Sequence, residues 1–186
     1  MKLYIKYMVS QRCKMLVRKE LDNLGITKVK VELGVVDILE DVSMEQLHRL
    51  KANLKVSALE VIENKKDILI ERIKNVIVEM IHYSDELPKT NYSDFLSEKL
   101  NYDYTYLSNI FSEEKGITIQ QFIILNKIEK VKELLLYGEM NLTEISYRLH
   151  YSSISHLSNQ FKKVTGMSPS LYEKMSAKRK SNLEGL

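Results

Sequence analysis

Tyr106-Leu107-Ser108-Asn109-Ile110-Phe111 and His156-Leu157-Ser158-Asn159-Gln160-Phe161 are two versions of one phrase. In each, Leu and Phe stand four positions apart, so they share one side of a helix and turn toward a core. The Ser-Asn pair between them falls on faces that can point outward. The likeness extends in both directions. Upstream stand Phe95-Leu96-Ser97-Glu98-Lys99-Leu100-Asn101-Tyr102 and Ile145-Ser146-Tyr147-Arg148-Leu149-His150-Tyr151. Downstream, Lys115-Gly116-Ile117-Thr118 answers Thr165-Gly166-Met167-Ser168-Pro169. Each passage reads as a short helix, a tight polar turn and a second helix closing on glycine, which is a helix-turn-helix, twice. Between them, Phe122, Leu125, Ile128, Val131, Leu134 and Leu135 form an apolar stripe over Phe122 to Tyr137, long enough to hold both units at a fixed separation.

Further upstream, Ile68, Leu69, Ile73, Val76, Ile77, Met80 and Ile81 continue the helical period. Before Glu63-Asn64 the period changes. Leu3, Ile5 and Tyr7 alternate with Lys2, Tyr4 and Lys6 as in a half-buried strand. Cys13, Leu16, Val17, Leu21 and Leu24 then recur at helical spacing up to Gly25. Val29, Val31 and Leu33 alternate, Gly34 offers a turn, and Val36 and Ile38 resume a strand. Ser43 with Gln46 resembles a capping box for a helix carrying Leu47, Leu50 and Leu54, and Leu59, Val61 and Ile62 give a last strand. The order β-α-β-β-α-β is the split-βαβ or ferredoxin-like plan. The fold class expected is therefore α+β. A βαββαβ ferredoxin-like domain over residues 1–63 precedes an all-α double helix-turn-helix domain over 65–175 and a polar, frayed tail over 176–186. Alone, a unit of about 60 residues would be only marginally stable.

Composition narrows the function. Six glycines and two prolines among 186 residues are too few for a fibrous or large all-β chain. A single cysteine, Cys13, rules out an intramolecular disulfide and any zinc site built on several cysteines. No apolar run approaches the ~18 residues of a membrane span, and the charged start, Met1-Lys2-Leu3-Tyr4-Ile5-Lys6, leads into no cleavable signal segment. A cytoplasmic protein is expected. His48, His82, His150 and His156 are scattered, and no phosphate loop or nucleophile motif stands in the chain, so no enzyme and no cofactor are expected. The net charge of +3 names no partner, and a nucleic-acid reading has to rest on local patches.

From about Ile68 to Lys174 the sequence resembles the DNA-binding domain of AraC-type transcription regulators. The most specific stretch runs Lys127-Ile128-Glu129-Lys130-Val131-Lys132-Glu133-Leu134-Leu135, Leu142-Thr143-Glu144-Ile145-Ser146, Phe161-Lys162-Lys163-Val164-Thr165-Gly166 and Ser168-Pro169-Ser170-Leu171-Tyr172. The family usually has Gly-Phe where His150-Tyr151 stand, Phe at Leu157, Arg at Asn159 and Arg at Glu173. The resemblance implies double-stranded DNA as partner, with RNA polymerase contacted at a promoter. It also implies a companion domain that senses a ligand or mediates protein contact. Residues 1–62 resemble heavy-metal-associated domains, copper or zinc carriers with a Met-x-Cys-x-x-Cys loop, at Met8-Val9-Ser10-Gln11-Arg12-Cys13. Here Ser10 replaces the first cysteine. A pair of thiolates makes that loop a good soft-metal site, so Met8 and Cys13 are weak candidates and no metal is expected. Cys13 reads more simply as a small residue on the inner face of its helix.

A recognition helix needs short or forked polar groups on its exposed N-terminal face to meet base edges. The first unit offers Thr105, Ser108 and Asn109, and the second offers Ser153, Ser155 and Asn159. Asn can bind the adenine N6/N7 edge bidentately, while Ser and Thr discriminate less. No Arg stands on either face, so the commonest guanine contact is missing and A·T-leaning sites are expected. Lys115, His156, Lys162 and Lys163 are the phosphate-contact candidates, with Arg148 and Lys174 flanking. Two units joined by a stiff helix would enter successive major grooves. The alternatives are a copper-type metal carrier and an adaptor that no longer binds DNA.

Overall fold

The computed structural model describes residues 1–84, 87–88, 90–138 and 140–175, so the tail over 176–186 lies outside the described residues. The first elements are β1 (Lys2–Lys6), α1 (Gln11–Asn23), β2 (Val29–Glu32), β3 (Val35–Ile38), α2 (Met44–Val56) and β4 (Glu60–Ile62). They follow in the order that the alternation of periods predicts. The strands form one antiparallel sheet in the order β2-β3-β1-β4. Leu3 stands opposite Val36, Ile5 opposite Val61, and Val31 opposite Val36.

Alternation sends Leu3, Ile5, Val36 and Ile38 to one face of this sheet, where they meet Val17 and Leu21 of α1 and Leu50 and Leu54 of α2. The helices begin where the sequence supplies caps. The Ser10 hydroxyl accepts from the Cys13 N–H, and Ser43 with Gln46 forms the full reciprocal box. Gln46 also donates to the Leu24 carbonyl at 2.9 Å, tying the start of α2 to the end of α1. At the β2 edge, Arg18 of α1 donates to the carbonyls of Val29 and Thr27 at 3.1 and 3.2 Å. The Glu40 carboxylate takes the N–H groups of Thr27 and Lys28 at 2.6 and 2.7 Å.

One residue expected in β1 lies just beyond its end and departs from the alternation. Tyr7 is 51% exposed and left-handed at φ 66°, because the chain must reverse there to drop Met8 into the core and reach Ser10.

Asn64 caps α3 (Lys65–Val78), accepting from the N–H groups of Lys66 and Asp67, and a single π-helical turn, Glu79–Tyr83, continues it. Then come α4 (Tyr92–Leu100), α5 (Tyr104–Lys115), α6 (Ile119–Tyr137), α7 (Leu142–Arg148) and α8 (Ile154–Thr165), with a last helical stretch over residues 169–175. By its contacts the chain groups into two units. One is Met1–Glu79 with Leu96–Ile110; the other is Met80–Phe95 with Phe111 onward. In the first, α3 packs on β1, so the helix that periodicity places at the head of the helical half shares its contacts with the sheet.

In the second unit α6, α7 and α8 pack on one another. Buried on α6 are Ile119, Ile123, Ile128, Val131, Leu134 and Leu135. Leu125, expected in that stripe, is 40% exposed. The true stripe starts one turn earlier and runs through Ile123 and Lys127, which leaves Leu125 off its line. Capping boxes at Thr118/Gln121 and Asn141/Glu144 fix where α6 and α7 start.

Both tight turns are made by a left-handed residue directly after a buried leucine: Asn101, at φ 59°, after Leu100, and His150, at φ 52°, after Leu149. Asn tolerates this region, whereas His carries the ordinary Cβ penalty of about 1–2 kcal/mol. Replacing His150 by Gly removes that penalty and gives back part of it through the freer unfolded chain. His150→Gly is expected to raise stability by roughly 0.5–1 kcal/mol in urea unfolding. A loss of stability would show that the imidazole itself supports the turn.

Candidate nucleic-acid interface

Each recognition helix is set by a cap at its start and an apolar pair one turn apart on its inner face. At α8 the cap is Ser153, whose Oγ accepts from the His156 N–H at 3.1 Å. Leu157 and Phe161 are wholly buried, and the Phe161 ring meets Tyr172 edge-on at 5.6 Å. Ser155, Asn159, Lys162 and Lys163 are exposed. At helical spacing, Ser155, Asn159 and Lys162 run down one solvent face, with Lys163 beside them. Gly166, left-handed at φ 81°, closes the helix on the Lys162 carbonyl.

The structure gives two of the expected contact residues local duties. Ser153 is engaged as the cap, which leaves only its hydroxyl hydrogen to offer outward. His156 Nδ1 lies 3.0 Å from Ser152 Oγ, and its ring meets Tyr151 edge-on at 5.4 Å, so the imidazole is held back against the turn. Tyr151 in turn donates to Gln160 Oε1 at 2.7 Å. Of the flanking candidates, Arg148 and Lys174 are exposed, and Arg148 reaches Met140 Sδ at 3.7 Å.

At α5 the cap is Asp103, whose carboxylate accepts from the N–H groups of Thr105 and Tyr106 at 2.8 and 3.2 Å. Leu107 and Phe111 are wholly buried, and Phe111 packs at 5.5 Å against Phe122. Thr105, Asn109 and Lys115 are exposed; Ser108 is half-buried, because it stands next to Leu107 on the turn toward the core. Sequence reasoning passed over Tyr106. It is exposed and stacks on Tyr102 at 5.6 Å, and the i,i+4 spacing of the two tyrosines is the signal for it.

The two helices differ in charge. Around α5 stand Asp103, Glu113 and Glu114 against Lys115, whereas α8 carries Lys162 and Lys163 and no carboxylate. A neutral serine cap also leaves the positive end of α8 unopposed, while Asp103 neutralises that of α5. The second helix therefore offers the better surface for a polyanion.

Beneath the second turn lies Lys127 of α6, only 7% exposed. Its ammonium donates to the Leu149 carbonyl at 2.7 Å and lies over the rings of Tyr92 and Tyr151 at 5.1 and 5.0 Å. It thus caps the end of α7 from within. Burial lowers its pKa to about 8, and burial also pushes up the phenols of Tyr92 and Tyr151.

Met8 lies wholly inside the hydrophobic core of the sheet, and Cys13 is half-buried with its Sγ 3.1 Å from Ser10 Oγ. Among the described residues no group of three or more His, Cys, Asp or Glu is placed to hold a metal ion, and no described helix is long and apolar enough to cross a membrane.

Residues 96–175 match a family described as a helix-turn-helix domain. An uncharacterised HTH-type transcriptional regulator, YtdP of Bacillus subtilis, is 28% identical over 108 residues, which are 58% of this chain and 14% of the relative. The melibiose operon regulatory protein of Escherichia coli is 28% identical over 90 residues, 48% of this chain and 30% of the relative. The chain thus spans less than a third of the length of either. Among solved structures, the C-terminal domain of AraT, a response regulator from Geobacillus stearothermophilus, is 28% identical with a TM-score of 0.51. That likeness covers 60% of this chain and 88% of the other.

The lowered proton affinity of Lys127 has a measurable consequence. Between its folded value of about 8 and an unfolded value of about 10.4, the unfolded chain holds a proton that the folded chain has released. Stability therefore rises with pH across that window, and the contribution is lowest below it. Urea unfolding from pH ~7.5 to ~9.5, short of the tyrosine range, is expected to show this rise. Lys127→Met is expected to flatten it. An unchanged slope in the variant would assign the rise to another group.

Proposed function

We propose that this chain, whose helical half belongs to the AraC-type helix-turn-helix domains of transcription regulators, binds a promoter through two recognition helices laid in successive major grooves. One observation carries the reading: α8 turns Ser155, Asn159, Lys162 and Lys163 to solvent while Leu157 and Phe161 lock its other side into the core. Asn159 and Asn109 read adenine edges, and Ser155, Thr105 and Ser108 make the less selective contacts. Lys162 and Lys163 hold phosphates, with Lys115 in a lesser role because carboxylates surround it. Ser153 and His156 act chiefly by shaping the N-terminus of α8. The second unit supplies most of the affinity and the first adds selectivity.

The double-stranded DNA partner places the protein in the cytoplasm, where, bound at a promoter, it contacts RNA polymerase. We keep 1–63 and 65–175 as the functional division, since strand pairing lies within the first and the family match within the second. The order β2-β3-β1-β4 with α1 and α2 on one face supports a ferredoxin-like reading of the first part. In plan it resembles the heavy-metal-associated domains. Its role is input rather than metal transport, because the thioether of Met8 is a core side chain.

Selection from a random duplex pool, repeated at two salt concentrations, tests the reading. A bipartite, A·T-leaning motif with elements about one helical turn apart is the expected result. Asn159→Ala is expected to relax preference in one element by about 1–3 kcal/mol, while Lys163→Ala weakens all sequences alike and reduces the salt slope by about one. Equal losses on every sequence for both variants would overturn the assigned roles. No binding at low salt would favour the adaptor.

A further inference from the structure

The sheet has a second face, opposite the core of α1 and α2, and α3 covers only part of it. Tyr4 and Val35 stand directly across from one another on this face, and the Leu33-Gly34 turn of the β2-β3 hairpin closes one side. A cleft of about 520 Å³ opens between these residues, α3 and the end of α4. That volume is in the range of small-ligand sites.

Two features of the lining ask for a ligand. Asn75 of α3 is only 8% exposed, and its Oδ1 has no hydrogen-bond partner. A buried amide oxygen left unpaired costs about 1–3 kcal/mol. The Asn75 amide nitrogen packs against the bare Cα of Gly34, since a Cβ there, at φ 72°, would fall 1.7 Å from Nδ2. One turn earlier on the same face of α3 stands Arg72, half-buried, with no ion-pair or hydrogen-bond partner among the described residues. A guanidinium is a fork for a carboxylate or phosphate. Lys2, Lys30 and Lys99 add positive charge at the rim against Glu32 and Glu79, so the lining is cationic in sum.

We propose that this cleft binds a small hydroxylated oxyanion, its carboxylate or phosphate on Arg72 and a hydroxyl donating to Asn75 Oδ1. Binding is felt at Lys99-Leu100, the end of the first helix of the first helix-turn-helix unit. Leu100 immediately precedes the left-handed Asn101, so a ligand that orders the end of α4 acts on the turn that aims α5. This second half rests on the proposed function; the first half does not.

The test uses the full chain and two probes, malate and glycerol phosphate, with succinate and glycerol as controls that lack the hydroxyl and the charge respectively. Amide NMR titration without DNA is expected to show shifts centred on Gly34, Asn75 and Lys99 for at least one probe, over both controls. Arg72→Gln and Asn75→Leu are each expected to weaken that binding about tenfold. Asn75→Leu removes the unpaired oxygen, and Arg72→Gln, at a half-buried position, tests the site independently where leucine does not fit beside Gly34. Shifts spread over the lysines of α8, equal binding of succinate, or no shift at all would overturn the site. DNA affinity is then measured by anisotropy with and without the bound probe. A change of severalfold that Arg72→Gln abolishes supports the coupling, and equal affinity overturns it. A protein that binds the probe but no DNA refutes the proposed function and leaves the site standing.

Discussion

Two side chains, one turn apart, decide how each recognition helix faces the world. Leu107 with Phe111, and Leu157 with Phe161, are wholly buried. Turning either helix by a single residue would bring its two large apolar groups toward water, at about 1.5–3 kcal/mol for each. Everything outward follows from that anchoring. Asn109 and Asn159 are exposed because leucine and phenylalanine are not, and the caps at Asp103 and Ser153 set where the exposed face begins.

That anchoring is also why so much was legible in the sequence. The i,i+4 pairs, the Ser43/Gln46 box and the glycine stops are local signals, and local signals survive into the structure. What escaped was set by distant parts of the chain. Lys127 looks like one more charged position on α6, and only folding brings Tyr92, Tyr151 and the Leu149 carbonyl around it. The contact of Gly34 with Asn75 joins residues far apart in sequence. Leu125 was misplaced because the α6 pattern admits two neighbouring stripes, and the packing of α7 and α8 chooses between them. Ser153, expected at a base edge, also caps α8 through its hydroxyl oxygen, a duty that its position before Ile154 signals locally.

The two units share a scaffold and differ in field. The second carries Lys162 and Lys163 at the end of its recognition helix and a neutral serine at the start, whereas the first sets an aspartate at the start and two glutamates near the end. Lysines in the last turn also suit the negative end of the helix dipole, so the residues proposed to hold phosphate stabilise α8 as well. A polyanion approaching the protein is drawn to the second unit first. The stacked Tyr102 and Tyr106 give the first unit contact area rather than charge.

The guarded side of the sheet bears on how copies of this chain meet. An open edge strand is a template that a neighbouring molecule can extend, and it is a common start of fibres. Here Arg18 occupies the carbonyls of Thr27 and Val29, Glu40 occupies the N–H groups of Thr27 and Lys28, and Lys30 and Glu32 put charge along the rest of β2. The other edge, β4, is three residues long. A growing ribbon therefore finds few open backbone groups on these edges, which disfavours the joining of one sheet to another.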